Sequence, residues 1–219
     1  MNRRTFLASA AALAVVGTAV AFWPSSVPLP VTPASAQDGE DVDTSRVIEM
    51  SLGNPDAEVT VIEYASFTCP HCRSFHEGPF RQLKAEYIDT GRIHFIHREV
   101  YFDRFGLWAG MLARCAGPER YFGMIDMIYA GQQEWIGNGD PANIADNLRR
   151  MGRTAGLTDD EVNACLQDGE MARAMVAVYQ QNAEADAIES TPSFIINGQK
   201  FGNMSFAEFS RVLDEKLEG

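Results

Sequence analysis

The amino-acid sequence predicts an α/β fold in which a block of helices interrupts a mixed sheet-and-helix domain. The expected order of elements is strand, strand, helix, strand, several helices, two strands and a final helix. The hydrophobic spacing becomes helical near Arg104 and returns to strand composition only after Ile188. An inserted helical domain at residues 104–188 accounts for both observations.

Residues 1–36 have the features of an export signal. A short basic start precedes an alanine-rich apolar run, and Ala34-Ser35-Ala36 fits the small-residue site that signal peptidase accepts. The pair Arg3-Arg4 also resembles part of a twin-arginine signal. A retained membrane anchor is the alternative, although the run from Phe6 to Trp23 is short and rich in alanine for a spanning helix. We therefore expect a periplasmic protein, in which residues 37–46 form a flexible lead-in.

The acidic composition of the chain argues against nucleic acid as a partner. The 219 residues carry a formal net charge of −12, and an acidic surface repels phosphate backbones. The sequence shows no oligomerisation device, so we expect a monomer.

Strand signals lie on both sides of the helical block. Residues 47–50 suggest a short first strand. Residues 59–66 (VTVIEYAS) are apolar on both faces, which indicates a central strand, and residues 92–100 form the next one. After the helices, residues 193–197 return to strand composition, and Asn197-Gly198 predicts a hairpin turn.

Capping residues mark several helix boundaries. A helix is expected from about Pro70 to Tyr87, directly after the central strand. In the helical block, Asp140-Pro141 is an N-cap followed by proline at the first helical position, and residues 158–161 fit a capping box. A final amphipathic helix is expected from about Ser205 to Leu217.

Cys69 and Cys72, separated only by Pro70 and His71, lie at the expected start of the first helix. The unpaired N–H groups and the positive dipole end of a helix favour a thiolate at Cys69, and a protonated or hydrogen-bonding His71 would stabilise it further. A stabilised thiolate makes the corresponding disulfide a stronger oxidant. We expect Cys72, one turn further on, to be the buried partner.

Two other uses of this cysteine pair are weaker. A structural disulfide across so small a ring would restrict little chain entropy. A zinc site needs more ligands, and the sequence offers only His71 and His76 nearby, without a second pair of cysteines at this spacing. We therefore expect redox chemistry, with no metal and no cofactor. The other histidines, His76, His94 and His97, are interpreted as structural or surface residues.

Glu63 is the unusual residue of the central strand. By period-two alternation it shares a face with apolar residues such as Val61 and Ala65. An ionised acid on an apolar face is costly, so the pKa of Glu63 should rise. We expect it beneath the cysteines, where it would exchange protons with Cys72. The alternative is a solvated glutamate at a sheet edge.

Thr191-Pro192 comes immediately before the strand of residues 193–197. A proline at this place can mark a strand boundary and nothing more. It can also form a cis peptide in a tight turn, which would leave backbone groups free to pair with an extended substrate segment. We predict a substrate-binding role for Thr191 and Pro192.

These residues together resemble the DsbA family of thiol–disulfide oxidoreductases, through Glu63, Phe67, Cys69-Pro70-His71-Cys72, the helical block and Thr191-Pro192-Ser193-Phe194. The resemblance implies a thioredoxin fold, with a thioredoxin domain at residues 47–103 and 189–219 and the helical domain inserted between its parts. It also implies that Cys69 is the attacking cysteine, that Cys72 is its partner, and that Pro192 is a cis-proline facing both.

The resemblance further implies partners for the reaction. Such proteins pass their disulfide to reduced exported proteins and are reoxidised by a DsbB-type membrane quinone reductase. Thr191 stands where the enteric oxidase carries valine and where DsbC-type isomerases carry threonine, so an isomerase or a reductase for restricted partners is one alternative. Residues 37–46 are too few for the dimerisation domain of those isomerases. A copper- or zinc-binding carrier that uses the same cysteines is an alternative from another class.

The helical block contains a second cysteine pair, Cys115 and Cys165. Each shares a helix face with apolar residues and is expected to point towards a core. With four cysteines in an exported chain, a bridge between these two leaves none unpaired. We favour a structural disulfide over two buried thiols because the export compartment is oxidising.

Overall fold

A mixed five-stranded sheet organises residues 42–219, the part of the chain that the computed structural model describes. The strands are β1 Met50–Gly53, β2 Val59–Ala65, β3 Ile93–Glu99, β4 Ser193–Ile196 and β5 Gln199–Phe201. Their order is β1-β3-β2-β4-β5, with β2 and β3 parallel and the other neighbours antiparallel. The predicted export signal, residues 1–36, lies outside the described residues, as do residues 37–41 of the predicted lead-in.

The sheet confirms the predicted strands with one correction. β2 is bonded to β3 on one side and to β4 on the other, as its two apolar faces predicted. Asn197 and Gly198 both have positive φ in the turn that joins β4 to β5, which a tight hairpin turn requires. The first strand is not at residues 47–50 but begins at Met50, because the register with β3 pairs Met50 with His97.

The helix expected from residue 70 to 87 is divided into three segments. Helix α1 spans Pro70–Glu77, α2 spans Pro79–Leu83, and a π-helical turn spans Lys84–Ile88. The break lies at Gly78, whose backbone leaves the helical region with φ −121° and ψ −92°. The following proline has no N–H with which to continue the hydrogen-bond ladder of α1. The prediction of one continuous helix was therefore wrong.

The helical block lies between β3 and β4, and a last helix follows β5. Asp140 accepts a hydrogen bond from the backbone N–H of Asn143, and Thr158 and Glu161 form the predicted capping box. Ser205 and Glu208 form a second capping box at the last helix. The helices are α3 Arg104–Cys115, α4 Pro118–Ala130, α5 Gln132–Ile136, α6 Pro141–Thr154, α7 Asp159–Gln167, α8 Gly169–Ala185 and α9 Phe206–Leu217.

Two apolar cores position the start of α1. One lies between the sheet and α1, α2 and α9, and includes Phe75 and Phe209. The other is formed mainly by α3 to α7 and also contains Phe67 and Cys72. The inserted helices therefore share a core with the segment that carries the two cysteines. Among the described residues, none of the helices combines the length and the apolar character that crossing a membrane requires.

Candidate redox-active site

Cys69 is the N-cap residue of α1, and Cys72 lies one turn inside the helix. Cys69 has extended backbone angles, φ −83° and ψ 119°, and Pro70 takes the first helical position, where its missing N–H is not needed. Cys69 is partly exposed and Cys72 is fully buried, and the two sulfurs are not bonded to each other. The site thus presents one accessible sulfur backed by one that solvent does not reach.

The two thiols differ sharply in acidity. A hydrogen bond from the Cys72 thiol lowers the pKa of Cys69 to about 5, and the Thr191 hydroxyl and the backbone N–H groups of Cys72 and His71 add to this effect, although partial burial opposes it. Burial raises the pKa of Cys72 above its usual range, and the hydrogen bond to Cys69 and the charge of Glu63 act in the same direction. At neutral pH, Cys69 is therefore a thiolate and Cys72 a thiol.

His71 and the helix N-terminus contribute less than the sequence suggested. The side chain of His71 is exposed to solvent. Its backbone N–H is the group that lowers the pKa of Cys69, and that contribution ranks below the hydrogen bond from Cys72. The role of the His71 imidazole stays a prediction.

The segment before β4 lies against the sulfur of Cys69. The Thr191–Pro192 peptide bond is cis, and the carbonyl oxygen of Thr191 is 3.5 Å from Sγ of Cys69, a contact that a protonated Cys69 makes as donor. Thr191 Oγ1 is buried and makes no hydrogen bond of ordinary geometry within residues 42–219. It is nevertheless close enough to both sulfurs to lower the pKa of each thiol.

Two contacts hold the loop that carries Cys69, one from Gln132 in the helical block and one from Asp103 immediately before it. Nε2 of the buried Gln132 donates hydrogen bonds to the backbone carbonyls of Phe67 and Cys69, at 2.8 and 3.0 Å. The Thr68 hydroxyl donates to Asp103, the N-cap of α3, at 2.7 Å. The sequence analysis did not predict either contact, because Gln132 and Asp103 are distant along the chain from the cysteine loop and no motif distinguishes them from other polar residues.

Glu63 is fully buried on β2, which excludes the solvated edge position. Its Oε2 atom is 3.0 Å from Nε2 of His76 on α1. The register of the parallel strands places Glu63 opposite His97 on β3. The charge of Glu63 raises the pKa of Cys72, as expected for a carboxylate near that sulfur. The exchange of protons between Glu63 and Cys72 stays a prediction.

A chain of buried hydrogen bonds leads from His97 to α3. Nδ1 of His97 is 2.8 Å from the hydroxyl of Tyr121, and that hydroxyl donates to Oε1 of Glu99 at 2.8 Å. Arg114 donates to both oxygens of Glu99, at 2.8 and 2.6 Å. Burial lowers the pKa of His97 to about 4. Glu99 is also buried, but the charge and hydrogen bonds of Arg114 keep its pKa below the usual value.

One group within residues 42–219 brings three metal-ligand side chains together. One potential ligand atom each from Glu63, His76 and His97 lies within 4.8 Å of the other two, and all three side chains are buried. Neither Cys69 nor Cys72 belongs to this group. His76 and His97, interpreted from the sequence as structural or surface residues, are thus buried beside the acid of the central strand.

Cys115 and Cys165 form a disulfide within the helical block. The bond joins the end of α3 to α7 across a sequence separation of 50 residues, with the two Cα atoms 6.0 Å apart. Both cysteines are partly exposed rather than buried, although Cys115 packs against the core of the helical block.

Comparison with known proteins agrees with this geometry. The thioredoxin family model matches residues 45–215. A Rickettsia bellii protein, named provisionally as a protein-disulfide oxidoreductase, is 33% identical over 202 residues, which cover 87% of this chain and 76% of the relative. A Rickettsia conorii protein with the same type of name is 33% identical over 171 residues, which cover 78% of this chain and 61% of the relative. This chain therefore spans about three quarters of the first relative and about three fifths of the second.

Solved structures give the same result. The crystal structure of α-DsbA1 from Wolbachia pipientis has 30% sequence identity and a TM-score of 0.71, with 78% of this chain and 91% of that one covered. Bacillus subtilis BdbD, at 19% identity and a TM-score of 0.69, supports the fold alone. The fold, the family match and these similarities show that the chain belongs to the DsbA-like thiol–disulfide oxidoreductases of the thioredoxin superfamily.

Proposed function

We propose that this protein is an exported oxidant that introduces disulfides into reduced proteins through Cys69 and Cys72. The contrast between the two sulfurs carries the proposal: Cys69 is accessible and has a pKa of about 5, whereas Cys72 is buried and its pKa is raised. A reduced state stabilised by its thiolate makes the oxidised state a strong acceptor of electrons. The difference between the two thiols therefore favours transfer of the disulfide from this protein to its substrate.

The proposed reaction has two exchange steps. A substrate thiolate attacks Sγ of Cys69 in the Cys69–Cys72 disulfide, a mixed disulfide forms, and Cys72 leaves as a thiolate that takes up a proton. A second substrate thiolate then attacks the substrate sulfur of the mixed disulfide and releases Cys69 as a thiolate. Two electrons pass from the substrate to the cysteine pair, and the substrate gains one disulfide.

The segment at Thr191-Pro192 is proposed to hold the substrate. The Thr191 carbonyl lies beside the sulfur of Cys69, where the mixed disulfide forms. An extended peptide that pairs with this backbone would place its cysteine against Cys69. The contacts from Gln132 and Asp103 keep the cysteine loop in place for this exchange.

The remaining parts of the proposal concern the cell. We infer a periplasmic monomer that is reoxidised by a DsbB-type membrane quinone reductase. The export-signal features of residues 1–36 support this location, and so does the Cys115–Cys165 disulfide, because such bonds persist in oxidising compartments.

An isomerase or a reductase for restricted partners is the second candidate, and Thr191 is the residue that favours it. This alternative predicts that Cys69 and Cys72 are kept reduced in the cell. The copper or zinc carrier built on the cysteines gains no support from the arrangement of ligand atoms, because the group that approaches coordination geometry within residues 42–219 contains neither cysteine.

The test is the redox equilibrium of the pair in buffers of reduced and oxidised glutathione. We expect Cys69 and Cys72 to stay reduced against a mostly oxidised buffer, as a strong oxidant would. A Cys115→Ser, Cys165→Ser variant serves as the control, because the signal then comes from Cys69 and Cys72 alone. A pair that remains oxidised in a strongly reducing buffer would contradict the oxidant proposal and leave a reductase or a stable structural disulfide.

A further inference from the structure

The described residues contain five buried side-chain atoms without a hydrogen-bond partner, and four of them lie in one cluster beneath the redox pair. Glu63 Oε2 bonds to His76, the rings of His76 and Tyr129 stack with centroids 4.3 Å apart, and His97 completes the group. Each such atom is costly to leave unpaired in a protein interior. The four atoms are Glu63 Oε1, His76 Nδ1, His97 Nε2 and Tyr129 Oη.

The hydrogen bonds around His97 determine which of its nitrogens carries a proton. Glu99 accepts from Arg114 and from Tyr121, so the single hydroxyl proton of Tyr121 is committed to Glu99. The oxygen of Tyr121 must then accept from Nδ1–H of His97. In the neutral imidazole this leaves a lone pair on Nε2, the atom that has no partner within residues 42–219.

We propose that Glu63, His76 and His97 form a buried binding site for a divalent transition-metal ion, with zinc as the preferred ion. The inference goes beyond the proposed function and does not depend on it. One carboxylate oxygen and two imidazole nitrogens are a common ligand set for zinc, and these three side chains come from three elements of regular structure, β2, α1 and β3. The Tyr129 hydroxyl or a water would complete the coordination.

The surroundings of the cluster match those of metal-binding histidines. Such a histidine usually donates its second N–H to an oxygen that is itself anchored, which fixes the ring and its tautomer. His97 does this through Tyr121, Glu99 and Arg114. Ligand atoms about 2.1 Å from a zinc ion lie at most about 4.2 Å apart. Because the three ligand atoms lie within 4.8 Å of one another, binding needs at most a small closure.

The experiment uses the full chain with Cys69→Ser and Cys72→Ser, so that neither active-site sulfur can bind the metal. Because the three ligands are almost fully buried, the protein is stripped with a chelator and refolded in the presence of Co²⁺ as a spectroscopic probe. We expect one Co²⁺ per chain, absorption bands of nitrogen and oxygen coordination without a thiolate charge-transfer band, and displacement of Co²⁺ by Zn²⁺.

Three further variants make the test specific. His97→Gln should lose at least about 100-fold in affinity, whereas His94→Gln, a change of a neighbouring histidine on β3 outside the cluster, should bind as the parent does. Tyr121→Phe keeps all three ligands and should weaken binding by about 10- to 100-fold through the lost orienting bond. It provides an answer even if His97→Gln does not fold.

Two results would overturn the metal site. One is the absence of stoichiometric Co²⁺ in the parent with Cys69→Ser and Cys72→Ser, and the other is equal binding by that parent, His97→Gln and Tyr121→Phe. Because the parent lacks the redox cysteines, neither result bears on the glutathione equilibrium of the natural chain. The metal proposal and the oxidant proposal can therefore fail independently.

Discussion

The chain carries two cysteine pairs, each able to form a disulfide, that differ in their sequence separation and in the groups around them. Cys69 and Cys72 lie within a single helical turn, beside a buried acid and the Thr191 carbonyl. Cys115 and Cys165 join two helices across a sequence separation of 50 residues. The first pair closes so small a ring that its bond constrains little of the unfolded chain, whereas the second closes a long loop.

This contrast shows that the surroundings of a cysteine pair and its spacing along the chain determine what its disulfide contributes. At the start of α1, hydrogen bonds make the reduced state of Cys69 favourable, so that breaking the disulfide costs little. At the end of α3 the bond mainly restricts the unfolded chain. One pair is therefore suited to give up its disulfide and the other to keep it.

The largest expected effect comes from removing the sulfur of Cys69. Cys69→Ser should abolish oxidation of a reduced model protein, by about 1,000-fold or more, because serine cannot form the mixed disulfide. Cys115→Ser with Cys165→Ser should retain most of the activity. The measurement is the rate at which a reduced, unfolded substrate regains its disulfides. Equal losses in the two variants would mean that the two pairs do not divide their roles as proposed.

The second prediction concerns the stability of the fold, for which the Cys115–Cys165 pair should have the larger effect. Replacing Cys115 and Cys165 with serine should lower the free energy of unfolding by about 4 kcal/mol, the chain-entropy value for a loop of this length. Denaturant titrations of the two oxidised proteins measure the difference. Reduction of the Cys69–Cys72 disulfide should not destabilise the fold in the same way. A change well below 1 kcal/mol in the double variant would show that the bridge is not a stabilising element.

The third prediction is a pH dependence that only the first pair shows. The pKa of Cys69 is lowered to about 5, so the ionised thiolate stabilises the reduced fold fully above the pKa of an unfolded cysteine, and this contribution is lost as the pH falls through about 5. The oxidised protein has no such titration. We expect alkylation of the reduced protein to have its midpoint near pH 5, with only Cys69 modified. A midpoint near the ordinary value of about 8.5 would contradict the asymmetry.

Local signals explain what the sequence could predict. The two cysteines at a helix start, the Asn197-Gly198 turn and the cap at Thr158 are each encoded within a few residues, and the structure contains all three features. The break at Gly78 is also local, but the helical spacing on both sides of it dominated the prediction. These are short-range conformational preferences that do not depend on contacts with distant parts of the chain.

Long-range contacts account for the features that the sequence could not predict. The position of β1 is set by its register with β3, which residues 47–50 do not encode. The bond from Gln132 to the cysteine loop and the cluster around His97 join segments that are distant along the chain. Glu63, a polar residue in an apolar strand, indicated from the sequence that a polar group lies in the core. Its partner, His76 on α1, could be identified only from the structure.

The smallest predicted effect tests the residue that separates the oxidase and isomerase interpretations. Thr191→Val removes a hydroxyl that lowers the pKa of both active-site thiols, so the pKa of Cys69 should rise by less than about one unit. Thr191→Ser keeps the hydroxyl and should leave that pKa near 5. Since Thr191 Oγ1 makes no ordinary hydrogen bond within residues 42–219, losing it should not destabilise the fold. If valine and serine gave the same alkylation midpoint, the hydroxyl would have no part in tuning Cys69, and Thr191 would be no argument for an isomerase.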